Sequence, residues 1–208
     1  MHAFFAKNRL TLAITTALWL AAMPVLASSP VERDVLPAGA SPQVYQLTID
    51  PNLDQLTFQG ELTLHFTASQ ALPELVLNAL DLTVIDASID GQTVAVEVVP
   101  NTQRVHFKAP IAPGKHLLKV RYHGKIYEQS AGLFATDYTK ADGSKGRMLS
   151  SQFEPGDARK LAPMWDEPAH KAIFKISIIE PKGQLAISNM PEKQRQPLPD
   201  GRARVDFA

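Results

Sequence analysis

The 208 residues, 45% of them hydrophobic, suffice for one ordinary domain with a real core. Basic and acidic side chains balance at 21 each and no basic patch stands out, which argues against a nucleic-acid partner. The lack of cysteine excludes disulfides, thiolate metal sites and a cysteine nucleophile, but leaves the compartment open.

Residues 1–27 have the three parts of a secretory signal. Lys7 and Arg9 make a positive start, Leu10–Met23 is an apolar run, and Pro24 breaks it ahead of Val25-Leu26-Ala27, whose small residues suit a cleavage site. A bilayer core needs roughly 20 apolar residues, and this run is shorter and interrupted by Thr11, Thr15 and Thr16. The expectation is cleavage after Ala27 and an exported protein, periplasmic in a Gram-negative cell or otherwise secreted, with no membrane attachment once the signal is removed. Residues 28–41, rich in Pro, Ser and Gly, read as a linker or extended arm.

From Pro42 the pattern has period two. Tyr45, Leu47 and Ile49 fall on one face; after the turn signal Asp50-Pro51-Asn52, Leu62, Leu64 and Phe66 alternate with polar residues. Leu75–Leu77 and Leu82–Ile85 follow, Asp90-Gly91 marks a tight turn, and Val94, Val96 and Val98 alternate again. Val105 and Phe107, then Leu118, Val120 and Tyr122, continue the series, and later strands are expected at Phe174–Ile178 and at Leu185–Ile187. Residues 132–148 read as a polar loop or hairpin. Short strands between turn signals, with no convincing helical period, predict an all-β antiparallel sandwich or open barrel. Its span is 42–208. The last residues start a strand and stop, so the chain is expected to be a fragment of a longer protein.

The stretch around which this body is organised is 150–174, SSQFEPGDARKLAPMWDEPAHKAIF. Pro155, Pro163 and Pro168 exclude a long helix and leave room for at most a short helical turn between Asp157 and Ala162. Asp157, Arg159, Asp166 and Glu167 read as a structural ion-pair network, since Arg suits a bidentate carboxylate pair. Trp165 reads as packing. The five histidines after the signal, His65, His106, His116, His123 and His170, include no i, i+4 pair and none precedes Glu, so no helix-borne metal site is legible and surface roles are expected.

QFEPGDAR followed by PMWDEPAHKAIF resembles the signature near the end of the N-terminal domain of the membrane alanyl aminopeptidase family, zinc peptidases of the gluzincin type. Gly156, Ala162, Met164 and His170 stand where members typically carry Thr, Phe, Cys and Phe. SPQVYQLTIDPNLDQLTFQGELTLHF, LVLNALDLTV, GLFATDY and ISNMP resemble further family blocks in the same order, so the likeness covers most of the mature chain. It implies a saddle-shaped β-sandwich N-terminal domain, followed in the family by a catalytic domain with His-Glu-x-x-His for zinc and Gly-x-Met-Glu-Asn for the substrate amine. Neither motif occurs in this chain. The zinc implied for the full-length protein therefore has no ligand set here, and the fragment is expected to be inactive alone.

The resemblance also assigns substrate-binding roles. Glu154 holds the position that clamps the free α-ammonium of a peptide, and Gln152 the position that lines the pocket for its first side chain. A carboxylate suits an ammonium through a charge-assisted hydrogen bond, and two residues two apart in an extended segment point the same way. Taken without the resemblance, Glu154 reads as pairing with Arg159 or Lys160 on the surface. The implied partners are the N-terminus of a peptide and the missing downstream catalytic domain; the competing reading is a stand-alone, non-catalytic β-sandwich that binds peptides or another protein. Exported protein is expected to begin at Ser28: N-terminal sequencing checks this, and recovery of Met1 in the membrane fraction would instead mean an uncleaved anchor.

Overall fold

The computed structural model describes residues 35–208; the signal segment 1–27 and the first part of the arm lie outside the described residues. More than half of the described chain is strand. In order these are β1 (Ala40–Asn52), β2 (Thr57–Ala68), β3 (Leu75–Asn78), β4 (Leu82–Ile89), β5 (Gln92–Thr93), β6 (Ala95–Val99), β7 (Arg104–Lys108), β8 (Gly114–Lys125), β9 (Gly132–Thr139), β10 (Lys145–Gln152), β11 (Ile173–Glu180), β12 (Glu192–Pro197) and β13 (Ala203–Phe207). Eight of them form one sheet in the order β12-β13-β11-β1-β2-β8-β4-β5, three form a small sheet β3-β7-β6, and β9 and β10 make a separate hairpin.

The two larger sheets enclose one core, as expected of an all-β sandwich. Tyr45 pairs with Leu64 and Leu47 with Leu62 across β1 and β2, and Leu62 and Leu64 pair with Val120 and Leu118 of β8. The alternating apolar residues of three strands therefore fall on one face, against Leu75, Leu77, Val105 and Phe107 of the small sheet. Asp90 and Gly91 both have positive φ, at 52° and 83°, which is what a two-residue type I′ hairpin between β4 and β5 requires.

Within the β2–β8 pair, two aromatic rings lie on glycines of the facing strand. Phe58 is directly opposite Gly124, and Gly60 directly opposite Tyr122. The rings meet edge to face with centroids 6.2 Å apart. A side-chain carbon built on Gly124 would overlap the Phe58 ring, and one on Gly60 would overlap Tyr122. Glycine is required here by close approach, since neither residue has a positive φ.

Three expectations change. The main sheet is not wholly antiparallel: β1 runs parallel to β11, with Val44 opposite Ile173 and Ile49 opposite Ile178. Parallel neighbours need a long crossover, and here everything from β2 to β10 intervenes. Leu185 and Ile187 are not in a strand; they are 69% and 81% exposed. The Ala186 N–H is taken by the Glu180 carboxylate at 2.7 Å, and the segment crosses to β12 as a loop. The segment read as an arm is packed where it is described: Leu36 is buried, its N–H bonds Glu167 at 2.7 Å, and β1 begins at Ala40.

His116 is more than a surface residue. Its Nδ1 faces Asp90 Oδ2 at 2.7 Å and its Nε2 faces the Ala112 carbonyl at 2.8 Å. Donation of its Nδ1–H to the Asp90 carboxylate holds its pKa above the usual value. The resulting stabilisation is present below pH about 6.5 and is lost as pH rises through the raised folded value.

Gly124→Ala is expected to lower stability by about 1–3 kcal/mol, because the Phe58 ring must leave its place in a packed core. Denaturant midpoints check this, and pairing the change with Phe58→Leu should cost less than the sum of the two single changes.

Candidate functional site

The segment from Phe153 to Glu167 runs as irregular chain between β10 and β11. Such a segment can pack only if its backbone polar groups find partners. The main sheet provides two of them through tyrosines. Tyr122 Oη donates to the Leu161 carbonyl at 2.9 Å, and Tyr45 Oη accepts the Trp165 N–H at 3.0 Å. Both rings are buried, and burial pushes both phenols well above their ordinary pKa, so each stays neutral. Asn78 exchanges two backbone bonds with Met164, at 2.9 and 3.0 Å, and the Leu80 N–H donates to the Arg159 carbonyl at 3.0 Å. Ala162, Met164 and Trp165 are consequently buried.

The short helical turn expected between Asp157 and Ala162 is a single 3-10 turn at Ala158–Lys160. Around it the charges pair off. Arg159 Nε donates to Asp166 Oδ2 at 2.9 Å and its Nη1 to Gln103 Oε1 at 3.1 Å, while Lys160 Nζ lies 2.8 Å from Asp157 Oδ1. Glu167 accepts the Leu36 N–H, and His170 stands 3.7 Å away from it. Lys160 Nζ also lies 4.7 Å from the centre of the Tyr127 ring, whose hydroxyl donates to Asp81 at 2.6 Å. These residues form the structural network read from the sequence.

Gln152 is the last residue of β10, and Glu154 follows two residues later. Both are exposed. The extended geometry expected for the pair holds only to Gln152. Glu154 sits in a turn closed by the Asp157 N–H donating to the Phe153 carbonyl at 2.9 Å, and its peptide bond to Pro155 is cis. The side chains of Gln152 and Glu154 leave the end of the strand and the turn after it, respectively. Among the described residues neither makes a hydrogen bond or ion pair. The surface partners that Glu154 could have taken, Arg159 and Lys160, are engaged by Asp166 and Asp157.

Sequence reasoning passed over Tyr45 and Tyr122 as ordinary core positions. The signal was available, because a tyrosine at an inward strand position must find a partner for its hydroxyl. It also passed over Arg147, which holds Asp137 at 2.6 and 3.0 Å and the Leu53 carbonyl at 3.2 Å, and so ties the β9–β10 hairpin to the β1–β2 turn. Beside it opens a polar cleft lined by Asp54, Thr57, His123, Asp137, Arg147 and Lys182; neither Gln152 nor Glu154 lines it. Among the described residues no group of three or more His, Asp or Glu could hold a metal ion, so their donors do not fit a zinc site.

A family model described as the Peptidase M1 N-terminal domain matches residues 41–208. The chain is 35% identical over 176 residues to "Aminopeptidase N" of Acetobacter pasteurianus, across 83% of this chain and 50% of that protein. It is 34% identical over 194 residues to "Aminopeptidase 2" of Candida albicans, across 91% of this chain and 21% of that one. With "Aminopeptidase M1" of Arabidopsis thaliana it shares 34% over 167 residues, 75% of this chain and 19% of the relative. The chain therefore spans half or less of the length of these curated relatives.

Tyr45→Phe and Tyr122→Phe are each expected to lower stability by about 1–3 kcal/mol, since each leaves a buried backbone group without its partner. Tyr45→Phe should cost more, because an orphaned N–H has no second way to be satisfied whereas a carbonyl has two lone pairs. Urea midpoints at an unchanged denaturant slope are the measurement.

Proposed function

The chain belongs to the peptidase M1 N-terminal domain family, and from that premise we propose that it is the substrate-recognition portion of an exported zinc aminopeptidase, with Glu154 as the group that meets the free α-ammonium of a peptide. The observation that supports this most is the state of Glu154 itself. It is an exposed carboxylate without a partner among the described residues. It stands in a segment whose nearby cations are already committed, Arg159 to Asp166 and Lys160 to Asp157. A carboxylate left over on an anchored loop suits a cationic ligand, because the loop is ordered before the ligand arrives and little freedom is lost on binding. Gln152, one strand position before the turn, is the neighbouring polar group available to the first residue of the substrate.

On this reading the chain contributes recognition, and the zinc chemistry belongs to a catalytic domain of the longer protein. The described residues offer no ligand set, and the histidines that have partners meet single carboxylates: Glu74 for His106, Asp90 for His116 and Glu167 for His170. Cleavage would fall after the first residue of a peptide, because the clamped group is the terminal ammonium. Export rests on the character of residues 1–27.

In a protein that joins this domain to its catalytic partner, Glu154→Ala is expected to lower kcat/KM about tenfold to a hundredfold, the worth of a charge-assisted hydrogen bond. The melting temperature should not move, since Glu154 supports no neighbour. Gln152→Ala should cost less, with an effect that varies with the first side chain. A fall in melting temperature with unchanged kcat/KM would remove Glu154 from the site.

A further inference from the structure

We propose that Lys160, seated on the face of the Tyr127 ring, is a positioning residue for Gln152 and Glu154: it ties the strand end that carries the first to the turn that carries the second. This rests on the reading of Glu154 given above and deepens it, from the group that meets the ammonium to the groups that set where it stands.

Lys160 is the last residue of the 3-10 turn Ala158–Lys160. Its ammonium lies 2.8 Å from Asp157 Oδ1 and 4.7 Å from the centre of the Tyr127 ring. An ammonium with three donors can serve a carboxylate and an aromatic face together. Asp157 is also the residue whose N–H closes the Glu154 turn on the Phe153 carbonyl. The charge of Lys160 therefore holds, by its side chain, the residue that holds the turn by its backbone.

The stem of Lys160 reaches the other half of the pair. A side-chain carbon built on Gly132 would stand 3.0 Å from Lys160 Cβ and 3.2 Å from its Cδ. Gly132 also has a φ of 68°, so both the close approach and the backbone conformation call for glycine. It begins β9 and lies directly opposite Gln152, the last residue of β10. The stem thus packs on the backbone across from Gln152, while the ammonium secures the turn of Glu154.

Tyr127 gives these contacts a fixed base. It is buried, its N–H donates to the Leu133 carbonyl and its own carbonyl accepts the Ala135 N–H, each at 2.8 Å, and its hydroxyl donates to Asp81 at 2.6 Å. Next to Asp81, the Leu80 N–H donates to the Arg159 carbonyl at 3.0 Å. The contacts close on themselves, from Asp81 through Tyr127 and Lys160 to Arg159 and back through Leu80. Lys125 Nζ lies 5.1 Å from the centre of the same ring. Burial, and then the bond to Asp81, push the phenol well above its ordinary pKa, so the ring stays neutral beside two cations.

Amide exchange in this chain tests the holding, and kinetics of the longer protein test its consequence. Lys160→Met, which keeps an apolar stem, is expected to speed exchange of the Asp157 amide about tenfold, with the amides of β2 and β8 unchanged and Lys160→Arg restoring the slow rate. Tyr127→Leu should do the same; if that variant fails to fold, Lys160→Met decides. Unchanged exchange at Asp157, or a uniform rise across the sheet, would overturn the proposal. In a protein that joins this domain to its catalytic partner, Lys160→Met is expected to raise KM for an aminoacyl-anilide about tenfold with kcat little changed, because the ammonium is held alike in ground and transition states. Added to Glu154→Ala, the same change should cost nothing further. Full additivity of the two would overturn the positioning role and leave Glu154 in the site. Glu154→Ala without effect on kcat/KM would remove Glu154, and its positioning with it.

Discussion

The loop that carries Glu154 depends on two phenol–backbone hydrogen bonds made inside the main sheet. Tyr45 and Tyr122 come from β1 and β8, and their hydroxyls reach the backbone at Trp165 and Leu161. The position of Tyr122 is in turn set by Gly60, the only residue type that lets the ring lie flat across β2. Its edge-to-face partner Phe58 has the same need of Gly124. Strand register therefore determines where the phenols end, and the phenols determine where the irregular segment can run. A slip of one residue would turn both hydroxyls to the opposite face.

Most of the loop's charges are paired within it, with Glu154 and Lys171 outside that pairing among the described residues. Arg159, Lys160 and His170 each stand beside an acid of the same segment, Asp166, Asp157 and Glu167. Arg159 and Asp166 are largely shielded from solvent, so their pairing is less screened than a surface ion pair. Removing one partner would strand the other, which explains why the two are matched within seven residues of sequence. Glu154, in the turn just before the 3-10 turn that holds the bases, takes no part in this pairing.

Much of the sheet was legible because period-two patterning states which side chains face inward. Leu62, Leu64 and Phe66, and Leu118, Val120 and Tyr122, are all buried as their alternation implied. The Asp90-Gly91 turn was legible because few dipeptides accept two positive φ values. Leu185 and Ile187 misled because alternation of two apolar residues says nothing of where the backbone finds partners, and here a carboxylate of Glu180 competes with a neighbouring strand. The parallel pairing of β1 with β11 was hidden for a related reason: a strand's pattern shows its faces, while its neighbours follow from topology. At the site, the pairing of acids and bases could be read from their types and spacing. The turn at Glu154 could not, because the direction of a side chain after a strand end depends on bonds, such as Asp157 to Phe153, that composition does not specify.

The parallel contact of β1 with β11 also governs the order in which the domain can assemble. Val44 and its partner Ile173 are 129 positions apart in the chain, and Ile49 and Ile178 are separated by the same interval. While the chain is being made, β1 can pair with β2 almost at once, but its second edge must wait until nearly the whole domain has emerged. Closing so long a loop carries an entropic cost and slows folding relative to a fold of local contacts. During that interval the second edge of β1 remains without its final neighbour, so the nascent chain presents an open strand edge, the kind of surface that makes partly folded chains prone to mispairing.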